Sequence, residues 1–381
     1  MLGGIKMLQK FQSIEREMNQ IYLERQEPVR GLLVGLISGE HVVLLGPPGT
    51  GKSDMSENLT GRIAGRYFHW LMMRTTAPDE IFGPVSVSAL KNDSYKRNTA
   101  GKLVEADVAF LDEVFKANSA VLNSLLGVMN ERQFDNDGQS LTCPLQFMVG
   151  ASNEMPEDKM ELGALWDRFM LRYVVGDIKS PKHFEALMNG LNQAQSYTTI
   201  TMQELAAAQA EAEQVDIRGI VPRLTELRQK INSQLNIYNS PRRWKKAVKL
   251  IKAHAWLEGR KQATDDDLAI LAGTCWDDPA QVQEVRKTIL ALANPLDIEA
   301  QNIADEALEI WHKAMNEQDE SKVTKVAAEA NQKLKKLSTK LDVMRADAKK
   351  AGKNDSKIIE VLQQVISQNK EVVHKCLGIK L

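Results

Sequence analysis

A chain of 381 residues exceeds one typical globular core and predicts two or three units, each able to bury its own apolar face. Its 49 basic and 50 acidic side chains nearly cancel, which excludes a global electrostatic bias toward nucleic acid or membrane and leaves any basic preference local. Cys143, Cys275 and Cys376 lie far apart with no C-x-x-C pair, so neither a redox couple nor a cysteine metal clamp is expected, and the thiols read as reduced, cytosolic ones.

Lys6 and Lys10 lead into FQSIEREMNQ, which lacks the apolar core of a secretion signal. No stretch approaches the roughly 20 apolar residues that span a bilayer, and a cytoplasmic protein is expected. Leu8, Phe11, Met18, Ile21 and Tyr22 recur near helical spacing and predict an N-terminal amphipathic helix within residues 1–27. A second helix is expected from Pro28 to Ser38, followed by HVVLLG, a short apolar run ending in glycine that reads as a buried strand feeding a loop. Further strand-length runs are YFHWLM (67–72), VAFL (108–111), LQFMVGA (145–151) and MLRYVV (170–175), separated by helical patterns. That alternation predicts an α/β domain with a mostly parallel sheet over 28–178. QFDNDGQSL (133–141) carries the Asp-Gly turn chemistry of an inserted β-hairpin. A second hairpin-like excursion is expected between Phe82 and Lys102.

After about residue 178 the strands are expected to stop. Trp244, Ala247, Val248, Ile251 and Ala255 place one apolar face on a helix, and 179–293 reads as an all-helical lid domain that Asn294-Pro295 closes. Beyond it, Val323, Val326, Ala330, Leu334, Leu337, Leu341 and Met344 form one apolar set and Ile359, Leu362 and Ile366 another, with AGKND (351–355) between them. A C-terminal helical hairpin over 294–381 fits. Its Lys-rich surface, from Lys322 to Lys353, reads first as a solvated helix face, with contact to an acidic partner or nucleic acid as the alternative.

The chemistry-bearing motif is GPPGTGKS (46–53), set between a strand and a helix. Gly46, Gly49 and Gly51 let backbone N–H groups of the loop converge on phosphate oxygens, with Pro47, Pro48 and Thr50 forming the rest of the nucleotide-binding loop. Lys52 would neutralise the β- and γ-phosphates, Ser53 would place its hydroxyl on Mg²⁺, and the helix N-terminus favours the anion. VAFLDE (108–113) supplies a second half, since a carboxylate at a strand end lies beside such a loop. Asp112 is expected to hold Mg²⁺ and Glu113 to orient the attacking water. The next strand runs into Ser152-Asn153, whose amide can bond the water or the γ-phosphate, or simply form a turn. Charge developing on the γ-phosphate calls for an arginine. Arg168 and Arg172 in LWDRFMLR are candidates, and SPRRW (240–244) places Arg242 and Arg243 near enough to reach the nucleotide if the lid closes. ATP and Mg²⁺ are the cofactors expected, and the six histidines show no metal-ligand spacing.

At these residues the chain resembles the MoxR branch of the AAA+ ATPases, and most closely its regulatory ATPase variant A (RavA) group. The resemblance runs from about Tyr22 to Trp276 through YLERQEPVR, GEHVVLLGPPGTGKS, RTTAPDEIFGPVSVSALK, FLDEVFKANSAVLNSLLGVMNERQF, ASNEMPE, LWDRFMLR and SPRRWKKAVKLI. It implies that Asp112 and Glu113 are the Walker B pair, Asn153 sensor 1, Arg168 the finger offered to a neighbouring subunit, and Arg242 sensor 2, with Arg172 and Arg243 as rivals. It also implies that the excursion after Phe82 is the helix-2 insert and 133–141 the pre-sensor-1 hairpin, both facing a ring pore or its rim. A homo-oligomer, expected as a hexameric ring, would remodel a protein client beside a von Willebrand factor A (vWA) domain partner. RavA-type chains continue into a β-rich module, whereas residues 295–381 here read as helices only. A nucleic-acid-acting ring is the rival class. Neither hairpin interleaves aromatic residues with Lys or Arg at stacking spacing, which argues against it. An ATP-switched scaffold is the third.

Overall fold

The computed structural model describes residues 2–156, 162–190, 193–316, 320–350 and 355–376. It divides into two compact units, Met1–Arg286 and Lys287–Leu381.

In the first unit, α1 (Leu2–Ile21) buries Phe11, Ile14 and Met18 at three- and four-residue spacing. The second helix, α2 (Gln26–Ser38), is buried along most of its length and ends at Gly39, whose φ of +69° closes the last turn onto the Gly35 and Leu36 carbonyls. Then come β1 (His41–Leu45), α3 (Lys52–Thr60), β2 (Ile63–Ala64), β3 (Tyr67–Leu71), α4 (Pro78–Phe82) and α5 (Val87–Leu90). They lead to β4 (Val108–Asp112), α6 (Ser119–Asn130), β5 (Gln133–Asn136), β6 (Gln139–Thr142), β7 (Phe147–Ser152), α7 (Gly163–Arg168) and β8 (Phe169–Val174). The main sheet has the order β3-β4-β7-β1-β8, every pairing parallel. Every residue of β1 and β7 is buried, as parallel strands covered by helices on both faces must be, and this is why they read as unbroken apolar runs. Parallel strands start at one edge of the sheet and end at the other, so the carboxyl ends of β1, β4 and β7 share one rim.

The 133–141 hairpin is present as β5 and β6, joined through Asp137 and Gly138 at positive φ. The segment between Phe82 and Lys102 differs from the hairpin expected there. It holds the single-turn helix α5 and one isolated antiparallel bridge, Val85 with Arg97. Gly83 opens it at φ +101°, where a Cβ would lie 1.8 Å from the Asn98 carbonyl oxygen. The two excursions are joined. Asp137 accepts hydrogen bonds from Ser94 Oγ at 2.5 Å and Tyr95 N at 2.9 Å, and Asn136 bonds both backbone groups of Arg97.

The lid region contains α8 (Pro181–Met188), α9 (Met202–Glu213), α10 (Val221–Gln234), α11 (Pro241–Leu257) and α12 (Val282–Ala293). It is not free of strands. Strand β9 (Ile200–Thr201) pairs parallel with β2, and two residues are too few to show a period-two pattern in sequence. Ala247, Ile251 and Ala255 of the apolar face on α11 are buried as expected, joined by Leu250.

A buried ion pair fastens α1 beside this small sheet. Arg62, fully buried, donates to Glu17, which also accepts from Ser196 Oγ at 2.7 Å and from Thr198 N and Oγ1. Burial alone would raise the Glu17 carboxyl, but the Thr198, Ser196 and Arg62 hydrogen bonds hold it down at about 2, against an ordinary 4.5. A depressed carboxylate contributes stability that is complete above its unfolded value and lost as pH falls toward its folded one. Thermal stability should therefore decline from about pH 5 toward pH 2, and Glu17→Gln should flatten that decline in a pH series of melting curves. An identical decline in both proteins would remove Glu17 from the account.

In the second unit, α13 (Pro295–Met315), α14 (Glu320–Lys350) and α15 (Ser356–Cys376) pack together. Their core contains Leu334 and Leu341 from α14 and Ile358, Val361 and Val365 from α15. The expected helical pair thus gains a third helix, α13, which adds Ala300, Ile303, Ala304 and Ala307 to the same core. Of the AGKND break, residues 351–354 lie outside the described residues.

Candidate active site

The loop 46–53 leaves the carboxyl end of β1 and enters α3. Gly46 sits at φ +148°, and a Cβ there would lie 2.0 Å from the Val175 carbonyl oxygen, so β8 and the loop approach as closely as they do only around glycine. Gly49 and Gly51, at φ +80° and +85°, turn the backbone through the left-handed region. Thr50 Oγ1 braces the turn by donating to the Pro47 carbonyl at 2.9 Å. Lys52 Nζ donates to the carbonyls of Gly46 at 2.7 Å and Pro47 at 2.8 Å and to Asn153 Oδ1 at 2.9 Å. Burial pushes this ammonium below its usual range, and the charges of Asp112 and Glu113 pull it back.

Asp112 closes β4. Its Oδ2 accepts from Ser53 Oγ at 2.9 Å and its Oδ1 from the Glu113 amide at 2.9 Å. Glu113 itself takes φ +50°, a left-handed conformation that costs a non-glycine residue of order 1 kcal/mol and concentrates at functional sites. Asn153 follows the end of β7. Its Oδ1 receives Lys52 while its Nδ2 donates to Glu113 Oε1. Pro48, Gly49, Gly51, Lys52, Ser53, Asp54, Asp112, Glu113 and Asn153 line one cleft of ≈380 Å³. The loop, the acidic strand end and the amide, placed together by sequence alone, meet here.

The donor set fits a magnesium nucleotide. A hydroxyl and a carboxylate oxygen, Ser53 and Asp112, converge as a hard cation requires, and the donors of Lys52 are all turned onto oxygens beside a glycine loop with room for phosphate. When bound, the cation supplies positive charge to the phosphoryl oxygens.

The arginines lie elsewhere. Arg168 ends α7, and the next residue, Phe169, pairs with His41 at the start of β1, whereas Val174 pairs with Leu45 where β1 runs into the glycine loop. The five residues of β1 therefore separate Arg168 from its own loop by about 16 Å of strand. Arg242 donates to Asn130 at the end of α6, and Lys246, one turn on, pairs with Glu40 just before β1 at 2.7 Å. Arg168 and Arg242 share a small recess with Asp167, Met170, Arg243 and Lys246. From sequence, SPRRW is expected to reach the nucleotide if the lid closes; here Arg242 lies in the recess beside Arg168 and does not line the cleft. The start of α11 packs at the amino edge of the sheet, opposite the cleft.

The rival arginines are structural. Arg172 is 1% exposed and donates to the carbonyls of Phe169, Trp166 and Trp276 and to Asp277 at 2.8 Å, with its guanidinium 4.3 Å over the Trp166 ring. Arg243 is also buried, donating to the Thr274 carbonyl at 2.8 Å, the Met170 carbonyl at 3.1 Å and Asp167 at 3.2 Å. Both stitch β8 to the lid. Among the described residues, Arg168 in contrast has one ion-pair partner, Asp167 at 3.7 Å, and a buried Nε without a hydrogen-bond partner. Two residues of the site were not singled out from sequence. Asp54 lines the cleft, and Lys116 pairs with Glu113; the signal for Lys116 was its place three residues after Glu113 in a segment that forms one tight turn.

Residues 9–215 match the family described as the MoxR domain in the MoxR-vWA-beta-propeller ternary systems, and residues 219–289 match the AAA lid domain. The chain is 39% identical over 349 residues to Uncharacterized protein MJ0079 of Methanocaldococcus jannaschii, spanning 91% of this chain and 90% of that one. It is 28% identical over 163 residues to Chaperone MoxR1 of Mycobacterium tuberculosis, 42% of each chain. The fold also matches a crystal structure from Cytophaga hutchinsonii with a TM-score of 0.60 at 17% identity, covering 76% of this chain and 96% of that one. The parallel-sheet core, the helical lid and these matches agree, and the chain belongs to the MoxR family of AAA+ ATPases.

Proposed function

We propose that this protein is a Mg-ATP hydrolase whose active site is completed between subunits of a homo-oligomeric ring, hexameric by family resemblance, and that its turnover remodels a protein client. The observation that carries this reading is the split of one chemistry between two ends of the sheet. The cleft of Lys52, Ser53, Asp112, Glu113 and Asn153 lies at the carboxyl rim, and Arg168 and Arg242 lie at the amino edge. A head-to-tail interface would bring one end against the other, and such an interface closes into a ring when its rotation permits.

In this reading Ser53 and Asp112 hold the cation and Lys52 exchanges its loop carbonyls for phosphate oxygens. Glu113 orients the attacking water, while Asn153 fixes Glu113 and meets the γ-phosphate. Arg168 from the neighbour stabilises charge developing on the transferred group, and Arg242 beside it acts as the sensor, also in trans. A vWA-domain partner is proposed from the ternary systems for which the matched MoxR domain is described, and the remodelling role from the chaperone name of the Mycobacterium tuberculosis relative. The RavA-type grouping and the cytoplasmic location rest on the quoted motifs and on the thiol pattern. Among the described residues no helix is long and apolar enough to cross a membrane.

An interface site makes activity depend on assembly. Phosphate release per chain should fall at least about tenfold on dilution below the assembly threshold read by sedimentation, since the finger contribution far exceeds that factor. Activity per chain that stays constant through that threshold would overturn the interface reading.

A further inference from the structure

Glu113 is held at both carboxylate oxygens, and only one of the two holders belongs to the motifs of the site. Oε1 accepts from the Asn153 amide. Oε2 is buried and accepts no hydrogen bond from the described residues, yet the Lys116 ammonium stands 3.4 Å from it. The Glu113 side chain is 11% exposed and that of Lys116 39%, so the cation reaches inward from the rim along its apolar stem. The backbone prepares this pair. Glu113 at φ +50° starts the turn Val114–Lys116, and the Lys116 amide donates back to the Glu113 carbonyl at 2.8 Å. Both partners of the ion pair are thus fixed within one tight turn. An exposed pair at such a distance contributes little. Here the oxygen is out of water, where an anion needs a compensating charge.

We propose that Lys116 is the positioning residue for Glu113, a proposal that rests on the ATPase reading above. The ammonium fixes the second carboxylate oxygen so that the first stays on Asn153, and the carboxylate is held in one orientation toward the water it directs. Lys116 acts through Glu113 and touches neither nucleotide nor water. Without it, the carboxylate turns Oε2 toward solvent and loses its aim, while the phosphate loop is unchanged.

The test compares Lys116→Met, Lys116→Arg, Glu113→Gln and the double variant Glu113→Gln/Lys116→Met in the full-length protein. Lys116→Met should lower kcat on the order of 10- to 100-fold, the scale of a misaimed catalytic group. Its KM for Mg-ATP should stay within about twofold and its melting temperature should not change. Lys116→Arg should recover most of the rate, because charge and reach are kept. In single turnovers of the Glu113→Gln background, Lys116→Met should have no further effect, since the amide offers no anionic oxygen to hold. Wild-type kcat in Lys116→Met, a raised KM, or an equal loss in both backgrounds would each overturn the proposal while leaving the ATPase reading intact. A wild-type protein that releases no phosphate from Mg-ATP would overturn the ATPase reading itself, and this one with it.

Discussion

Glu113→Gln is expected to bind Mg-ATP as tightly as the wild-type protein and to hydrolyse it on the order of 10²- to 10⁴-fold more slowly, the span that a positioned base contributes. Affinity survives because Lys52, Ser53 and Asp112, the groups proposed to meet phosphate and cation, are untouched and hydrogen-bonded without help from the Glu113 side chain. Turnover fails because a neutral amide can accept from Asn153 as Glu113 does but cannot polarise water. Calorimetric titration with Mg-ATP and a phosphate-release assay measure the two halves separately. Turnover within a factor of about three of wild type would remove Glu113 from the role of water-orienting residue. If the same variant retains bound ATP as proposed, imaging its particles after incubation with cell extract would count the subunits and show whether a client is held.

Much of this site was legible in sequence because its parts are local. A glycine loop after an apolar strand, and a carboxylate pair at the end of another, carry their geometry in a few residues, and the parallel sheet brings the strand ends to one rim. The long buried strands were legible for the same reason, since burial on both faces leaves an unbroken apolar run. What was not legible depends on distant partners. Arg172 and Arg243 look like candidates in sequence, and only the Trp276 and Thr274 carbonyls, far along the chain, show them to be enclosed. Likewise, the place of Arg242 is set by α11 packing at the foot of the sheet through Asn130 and Glu40. Helix α13 was missed because its buried face is mostly alanine, at Ala300, Ala304, Ala307 and Ala314, a weak hydrophobic signal. The pair β2 and β9 was missed because two residues have no period.

The same placement separates two roles for the arginines by a mixing experiment. In the proposed ring, Arg168→Ala oligomers would lack the proposed finger at every interface and should lose on the order of 10³-fold in turnover; Lys52→Ala oligomers would lack the proposed phosphate lysine at every cleft and should also be inactive. When the two proteins exchange subunits at equal concentration, an interface that pairs the cleft of an Arg168→Ala chain with the amino edge of a Lys52→Ala chain is wild type on both sides. Random pairing makes this about a quarter of all head-to-tail interfaces, so roughly a quarter of wild-type activity should return. Arg242→Ala mixed with Lys52→Ala discriminates further. If Arg242 served its own chain's nucleotide, no mixed interface would hold both Lys52 and Arg242 in one working site, and nothing would return. Because Arg242 lies beside Arg168 and a strand's length from its own glycine loop, recovery is expected here as well. Recovery with Arg168→Ala alone would place Arg242 in the lid role first read from the sequence, and recovery with neither would mean that the cleft and the arginines of one chain work together.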